Sequence, residues 1–359
     1  MYKYITAICF LSITTLSFSQ KTQSSNNGRE HTAPLISRIA FGSCGNQDQP
    51  QPILSQAAAK YPNVFVWLGD NIYADTYDLD TIRAKYQRLS EKPEYQLLQK
   101  RTRFIATWDD HDYGNNDIGR HYPLKTESKE IFLKQWKAPS NDIRRTREGI
   151  YTSYFYSSKG KTVQVIVLDT RTFRDNLIKY DGRKMPREFF YELDYLPHET
   201  SDSTFLGEKQ WIWLENQLKI PADVRIIASS SQFSISYNGY EAWANFPHER
   251  ERFIQLIQKT RANGVIFISG DVHYAEISKL TPQGGYPLYD VTSSGITSTW
   301  LFATPNENRI EGPIMDNHFG LIDIDWSKKD PTIQMRIYDV RKALRINKTI
   351  RLSEIQFKK

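Results

Sequence analysis

Five short apolar runs in this chain each end in a residue able to hold a cation or a proton, and this restricts the fold more than any other feature. The clearest lies in VFVWLGDNIYAD, residues 64–75, where five mostly apolar residues run into Gly69-Asp70. A run of that length, rich in Val and aromatics and bounded by Gly, predicts a buried strand. Runs at 38–41, 103–108, 163–168 and 265–269 read the same way. They end in Gly42-Ser43-Cys44-Gly45, Asp109-Asp110-His111-Asp112, Asp169-Thr170-Arg171 and Gly270-Asp271-Val272-His273. Gly-Asp alone is a common turn. Turn chemistry by itself does not put His beside Asp at two exits and Cys at a third. Open α/β sheets bind ligands outside the carboxyl ends of their strands.

Between these strands, helices are predicted over 52–60 (with Pro52 in its first turn), 82–89 capped by Asp80, 94–100, 127–136, 207–218 and 249–259. Residues 151–156 pair with 163–168 around the turn SSKGK, and 225–229 is a further strand. From Leu288 onward the pattern is β, with strands at 288–292, 319–324 and 334–338 and a weaker one at 349–352. Residues 172–206 have no clean period and read as an excursion near the site. Helices between strands early and consecutive strands late predict an α/β fold, with mixed sheets flanked by helices.

The N-terminus carries Lys3, a stretch of apolar and small residues over 4–18, and Ser17-Phe18-Ser19. This is the pattern of a signal peptide over 1–19, with export to the periplasm or the outside. Residues 20–36 are polar and predict a flexible lead-in, and 37–359 a single domain. Cys9 would leave with the signal, so Cys44 has no intramolecular disulfide partner. A lone thiol is either a small buried hydrophobe or a metal ligand. The formal charge of +6 suits anionic substrates, while the lack of a dense Lys/Arg block speaks against nucleic-acid-specific binding.

Thiolate, imidazole and carboxylate are the donors proteins give to transition metals and calcium. Acids converging in such number would repel one another unless cations lay between them. Two cations sharing one carboxylate suit in-line displacement at phosphorus.

FGSC (41–44), GDNIYAD (69–75), WDDHDYGNND (108–117), LDTR (168–171) and GDVH (270–273) occur in an order that resembles the PhoD-like alkaline phosphatases, a branch of the calcineurin-like metallophosphatases. The match spans roughly 37–325. It implies a four-layer αββα sandwich with a two-metal centre at the strand ends. The resemblance makes Cys44 a thiolate ligand, Asp70 the bridging carboxylate and Tyr73 a phenolate ligand to the ion that Cys44 holds. Asp110 stands where ordinary members place a metal-binding Asn, and Asp271 and His273 are the last two ligands, one to each ion. The family pairs ferric iron with calcium. His111 matches the catalytic His, and Asn115, Asn116 and Arg171 are candidates for substrate oxygens. Asp109 and Asp112 are expected to orient His111 or its loop, and Asp169 to form a structural ion pair with Arg171. Gln232 is a further metal candidate, Asp75 has no assigned role, and the remaining histidines are expected to be structural or on the surface. Many members also carry an N-terminal sandwich domain and a twin-Arg signal, neither of which precedes FGSC here.

The implied activity is hydrolysis of phosphate esters by a metal-activated hydroxide. Small esters and polymeric or phospholipid ones both remain open as substrates, with contact to phospholipid surfaces and no obligate protein partner. The alternatives are a phosphodiesterase or phospholipase D-like enzyme on the same site, and a non-catalytic phosphoester-binding surface protein.

Overall fold

Along residues 64–68, Val64, Val66 and Leu68 join one hydrophobic core, whereas Phe65 and Trp67 join another. Strand side chains alternate between faces, so this strand is buried on both sides. The computed structural model describes residues 31–184 and 191–358. Its first elements are β1 (His31–Pro34), β2 (Arg38–Gly42), α1 (Pro52–Ala58), β3 (Val64–Leu68), α2 (Leu79–Glu91), α3 (Pro93–Arg101), β4 (Arg103–Thr107), α4 (Asp110–Tyr113) and α5 (Lys125–Gln135). The middle holds β5 (Thr152–Ser158), β6 (Lys161–Val167), β7 (Ile178–Lys179), β8 (Tyr195–Leu196), α6 (Gly207–Lys219), β9 (Val224–Ala228) and α7 (Pro247–Thr260). The end is strand-rich: β10 (Val265–Ser269), β11 (Ala275–Leu280), β12 (Leu288–Ser293), β13 (Arg309–Ile314), β14 (His318–Asp325), β15 (Thr332–Asp339) and β16 (Leu344–Arg351).

Two mixed sheets result, ordered β1-β5-β6-β9-β10-β12-β11-β13 and β16-β15-β14-β2-β3-β4. Ile39, Val66 and Ile322 of the second share a core with Val165, Ile226 and Ile266 of the first, so the sheets pack face to face. Ala40, Phe65, Phe319 and Leu321, on the outer face of the second, pack with Leu54, Ile82, Leu98 and Phe132 of α1, α2, α3 and α5. Trp211 and Leu214 of α6, with Phe253 and Ile257 of α7, are buried against the first sheet. Helices, sheet, sheet and helices make the expected four layers.

Within the second sheet β2, β3 and β4 run parallel. Within the first, β6, β9, β10 and β12 do. The carboxyl ends of these strands carry the loops singled out in the sequence.

Several expectations needed correcting. Asp78, not Asp80, caps α2, accepting from Asp80 N at 3.0 Å. The predicted signal segment lies outside the described residues, and the lead-in ends in β1, which pairs in parallel with β5. Strands β11 and β13 went unread because charged Glu276, Lys279, Arg309 and Glu311 interrupt their pattern. Strand β16 begins at Leu344, five residues earlier than expected, because only Ile346 and Ile350 point inward. Among the described residues, no helix is long and apolar enough to cross a membrane.

Candidate metal centre

At and beyond the ends of the parallel strands the chain turns sharply, and four of the turns fall on predicted ligands, Cys44, Asp70, Asp271 and His273. Cys44, Asp70, Asp75, Asp117, Asp271 and His273 take φ between 46° and 75°, six of the eleven described non-glycine residues with positive φ. Left-handed backbone costs a non-glycine residue of order 1–3 kcal/mol unless its surroundings over-determine it, and it gathers at functional sites. Gly69, at φ 99°, packs so closely that an added Cβ would lie 2.5 Å from Asp109 Cβ and 2.7 Å from Asp109 N. That contact brings the β3 and β4 exits together.

Cys44 is fully buried. Its Sγ lies 3.4 Å from Asp70 Oδ2, 3.0 Å from Ser294 Oγ and 3.7 Å from the Asp271 carbonyl. Burial alone would raise the thiol, but the positive charge of His273 and hydrogen bonds from His273, Ser294 and Ser43 bring it down to about 6. The Cys44 charge in turn lifts His273 against the opposing effect of burial. A thiolate is the ligand form of cysteine. Ser294 is fixed from behind: its N–H donates to His318 Nε2 at 3.0 Å, and His318 Nδ1 lies 2.8 Å from the Asp316 carbonyl. His318 is thus structural, as expected, and burial holds it neutral, down to about 4.

Asp70 is pushed well above the carboxylate range by burial and then by the charges of Cys44, Asp110, Asp109 and Asp112. Asp271 is raised by burial and by Asp109, Glu241 and Asp110. Tyr73 is raised by burial, Cys44 and Asp70. Asp70, Asp110 and His111 bring ligand atoms within 4.8 Å of one another.

The 108–117 loop divides its acids between distinct tasks. Asp112 accepts from Asp109 N at 2.6 Å, from Tyr86 Oη at 3.2 Å and from Asn71 Nδ2, which locks the loop. Asp109 accepts from Arg171 Nε at 2.5 Å and from Ser230 Oγ at 2.9 Å. Neither carboxylate is bonded to His111. That role falls to Asp75, whose Oδ1 is 2.6 Å from His111 Nδ1, leaving Nε2 for the site. Asp75 stood inside a motif already singled out, but its position gave no sign that the chain would fold back on the β4 exit. The His111 ring packs 4.3 Å from Tyr73. Burial lowers His111, yet the charge of Asp110 and the bond to Asp75 raise it to about 9.

Arg171, read as a substrate contact, is only 1% exposed. Its Nη1 and Nη2 reach the two Glu241 oxygens at 3.0 and 2.7 Å, in addition to Asp109. Arg174 Nη2 lies 3.1 Å from Glu241. Together with Arg171 and His111 it overcomes the burial of Asp110 and holds that carboxyl below the usual range. Glu241 and Asp117 form a second cluster with Asp110, their ligand atoms again within 4.8 Å. Both were missed, since Glu241 follows no apolar strand. Asn115 is half-buried and Asn116 exposed on the following loop. Asp169 makes no ion pair with Arg171; it accepts from Trp108 Nε1, Ile150 N and Thr172 N at 2.8–3.0 Å, a purely structural hub. Gln232 turns to Glu276 and Thr292, 3.0 Å each, and stays in that buried network.

Asp70 Oδ1, Tyr73 Oη and His273 Nδ1 are buried without a hydrogen-bond partner. Leaving such groups unsatisfied costs roughly 1–3 kcal/mol each. Three orphaned donors of differing chemistry beside a thiolate are what a cation of transition-metal type would satisfy, so these residues fit a metal centre.

The sequence profile of the PhoD-like phosphatases matches residues 39–309. Alkaline phosphatase D of Bacillus subtilis (strain 168) is 24% identical over 241 residues, covering 61% of this chain; the chain spans 40% of that relative's length. A solved structure of PhoD superposes with a TM-score of 0.66 at 17% identity, covering 90% of this chain and 72% of the other. GAP50, described as the anchor in the inner membrane complex of Plasmodium, gives 0.57 at 14% identity, covering 90% of both chains. Cys44, Asp70, Asp110, Asp271 and His273 all fall within the matched segment, and the chain belongs to the PhoD-like phosphatase family.

Proposed function

We propose that this chain is an exported, metal-dependent phosphoesterase that hydrolyses phosphate esters at the strand-end centre. The observation that carries the reading is the buried set of a lowered thiol, Cys44, with orphaned oxygen and nitrogen atoms on Asp70, Tyr73 and His273. Fold likeness alone would not carry it, because an anchor protein shares the architecture. Cys44, Tyr73, His273 and Asp70 would hold ferric iron, and Asp70, Asp110 and Asp271 calcium. Bound there, the ions supply positive charge that polarises phosphoryl oxygens and acidifies water.

The protein's own groups do the remaining work. His111, held at about 9, stays protonated through neutral pH and presents Nε2 to the departing ester oxygen as a proton donor. Asp75 fixes its ring and its charge. Asp109, Arg171 and Glu241 form the rigid floor under Asp110.

The direct test uses the natively produced protein. Hydrolysis of p-nitrophenyl phosphate is expected, abolished by chelation and restored by returning iron and calcium. Visible thiolate and phenolate charge-transfer absorption should be absent in Cys44→Ala and weakened in Tyr73→Phe. A colourless, iron-free protein with full activity would remove both residues from the centre, and no turnover with metals present would leave a binding protein instead.

Asp75 carries its own prediction. With His111 raised to about 9, its protonated form persists to that pH and is lost above it. The contribution of the Asp75–His111 pair to stability is complete below the ordinary histidine value and disappears as pH rises through about 9. In Asp75→Asn the alkaline limb of the kcat profile should move down towards neutrality, with Asp110 still holding part of the rise and kcat at pH 8 falling by at most about 30-fold. An unmoved limb would show that another group sets it.

A further inference from the structure

The loop that closes over Cys44 carries an aromatic surface outward from the ions' position. Thr297 N and Ser298 N donate to the Cys44 carbonyl at 3.0 and 3.2 Å, and Trp300 N donates to the His273 carbonyl at 3.0 Å. These bonds fix Trp300 relative to two proposed ligands. Its ring meets the His273 ring edge-on, with centroids 5.3 Å apart, and stacks on Phe302 at 5.2 Å and 13°. Tyr240 packs on Trp300 at 4.9 Å, and Tyr191 stacks on Tyr240 and Phe302 at 5.4 Å each. All four rings are half-buried, and Leu301 between Trp300 and Phe302 is 97% exposed.

We propose that this surface binds the organic half of the phosphate ester and that it selects alcohols bearing an aromatic ring. The inference rests on the phosphoesterase reading above. Three observations support it. The wall starts at His273, a proposed ligand whose ring Trp300 touches, so it borders the centre directly. Trp300, Leu301, Phe302, Tyr240 and Tyr191 are themselves uncharged, with Asp194 and Glu192 beside Tyr240 and Arg309 beside Tyr191, so the wall itself offers ring and apolar contact. Rings in offset-stacked and edge-on arrangements give a planar ring an interaction beyond area burial, which a flexible acyl chain does not obtain.

The test compares 2-phenylethyl phosphate with ethyl phosphate. Both leave as primary alcohols, so their chemistry is matched and only the ring differs. Binding of the corresponding phosphonates to the ion-loaded protein is measured in parallel by calorimetry. The wild type should favour the phenyl ester in kcat/KM by at least roughly tenfold, the scale of one ring stacked on an aromatic side chain. Trp300→Ala should reduce the preference below about threefold, Trp300→Phe should keep most of it, and Leu301→Ser should lower it partway. Equal turnover of both esters by the wild type, or an undiminished preference in Trp300→Ala, overturns the proposal while the phosphoesterase reading stands. Phosphonates bound with the tenfold preference but neither ester hydrolysed would sink that reading and leave the wall in place. Should Trp300→Ala fail to fold, the wild-type ratio and the Leu301→Ser and Trp300→Phe variants decide. A short-chain phosphatidic acid outcompeting the phenyl ester would overturn the aromatic assignment in favour of a lipid.

Discussion

Asp70→Asn is expected to lower kcat for a phosphate monoester by about 10³-fold, the scale of removing several kcal/mol of charge stabilisation from the transition state. Asn keeps the size of Asp and tolerates the left-handed backbone at φ 48°, so the change isolates charge. Stability should move the other way. Burial and four neighbouring negative groups raise Asp70 well above its ordinary value. In cation-free protein the folded state therefore holds a proton that the unfolded chain has lost, and stability falls as pH rises above the ordinary carboxylate value. Denaturant titrations of the cation-free forms should show that fall reduced in Asp70→Asn, with equal or greater stability at neutral pH. A variant that is both active and less stable would argue for a structural Asp70.

Arg171→Met is expected to destabilise the protein by roughly 3–5 kcal/mol, because it leaves Asp109 buried without its cation and Glu241 with Arg174 alone. Urea unfolding read by circular dichroism measures it. The same experiment separates two roles for this residue. A substrate contact would lose activity with unfolding within about 1 kcal/mol of wild type, whereas a floor residue loses stability first. Full burial and engagement with two acids favour the second outcome.

These two residues also mark where the sequence was legible. Asp70 could be read because its strand is a continuous apolar run buried on both faces and ending in Gly-Asp. Cys44 and Asp271 were readable by the same logic. Local sequence carries that much, since strand, turn and exit residue are contiguous. Arg171 was found but misplaced: its Arg fork matches phosphate and carboxylate alike, and only the fold shows that Asp109 and Glu241 already occupy it. Glu241 reaches the site from a long irregular segment after β9, and Asp75 from a loop folding back on the β4 exit. Ser294 arrives from the end of β12. Each depends on a contact between distant segments, which no periodicity announces. The edge strands β1 and β13 were hidden for the related reason that half-exposed strands need little apolar patterning.

The exits of β2, β3 and β4, with Cys44, Asp70 and Asp110, belong to one sheet, while that of β10, with Asp271 and His273, belongs to the other. Ions gripped by both sets would act as a rivet across the sandwich, beside the apolar core and the Arg171–Asp109 ion pair that already join the two sheets. Among the described residues the one cysteine, Cys44, is free, so no disulfide there makes that join. Loading and folding would then be coupled, and loss of the ions would loosen the seam along the edge where chemistry takes place.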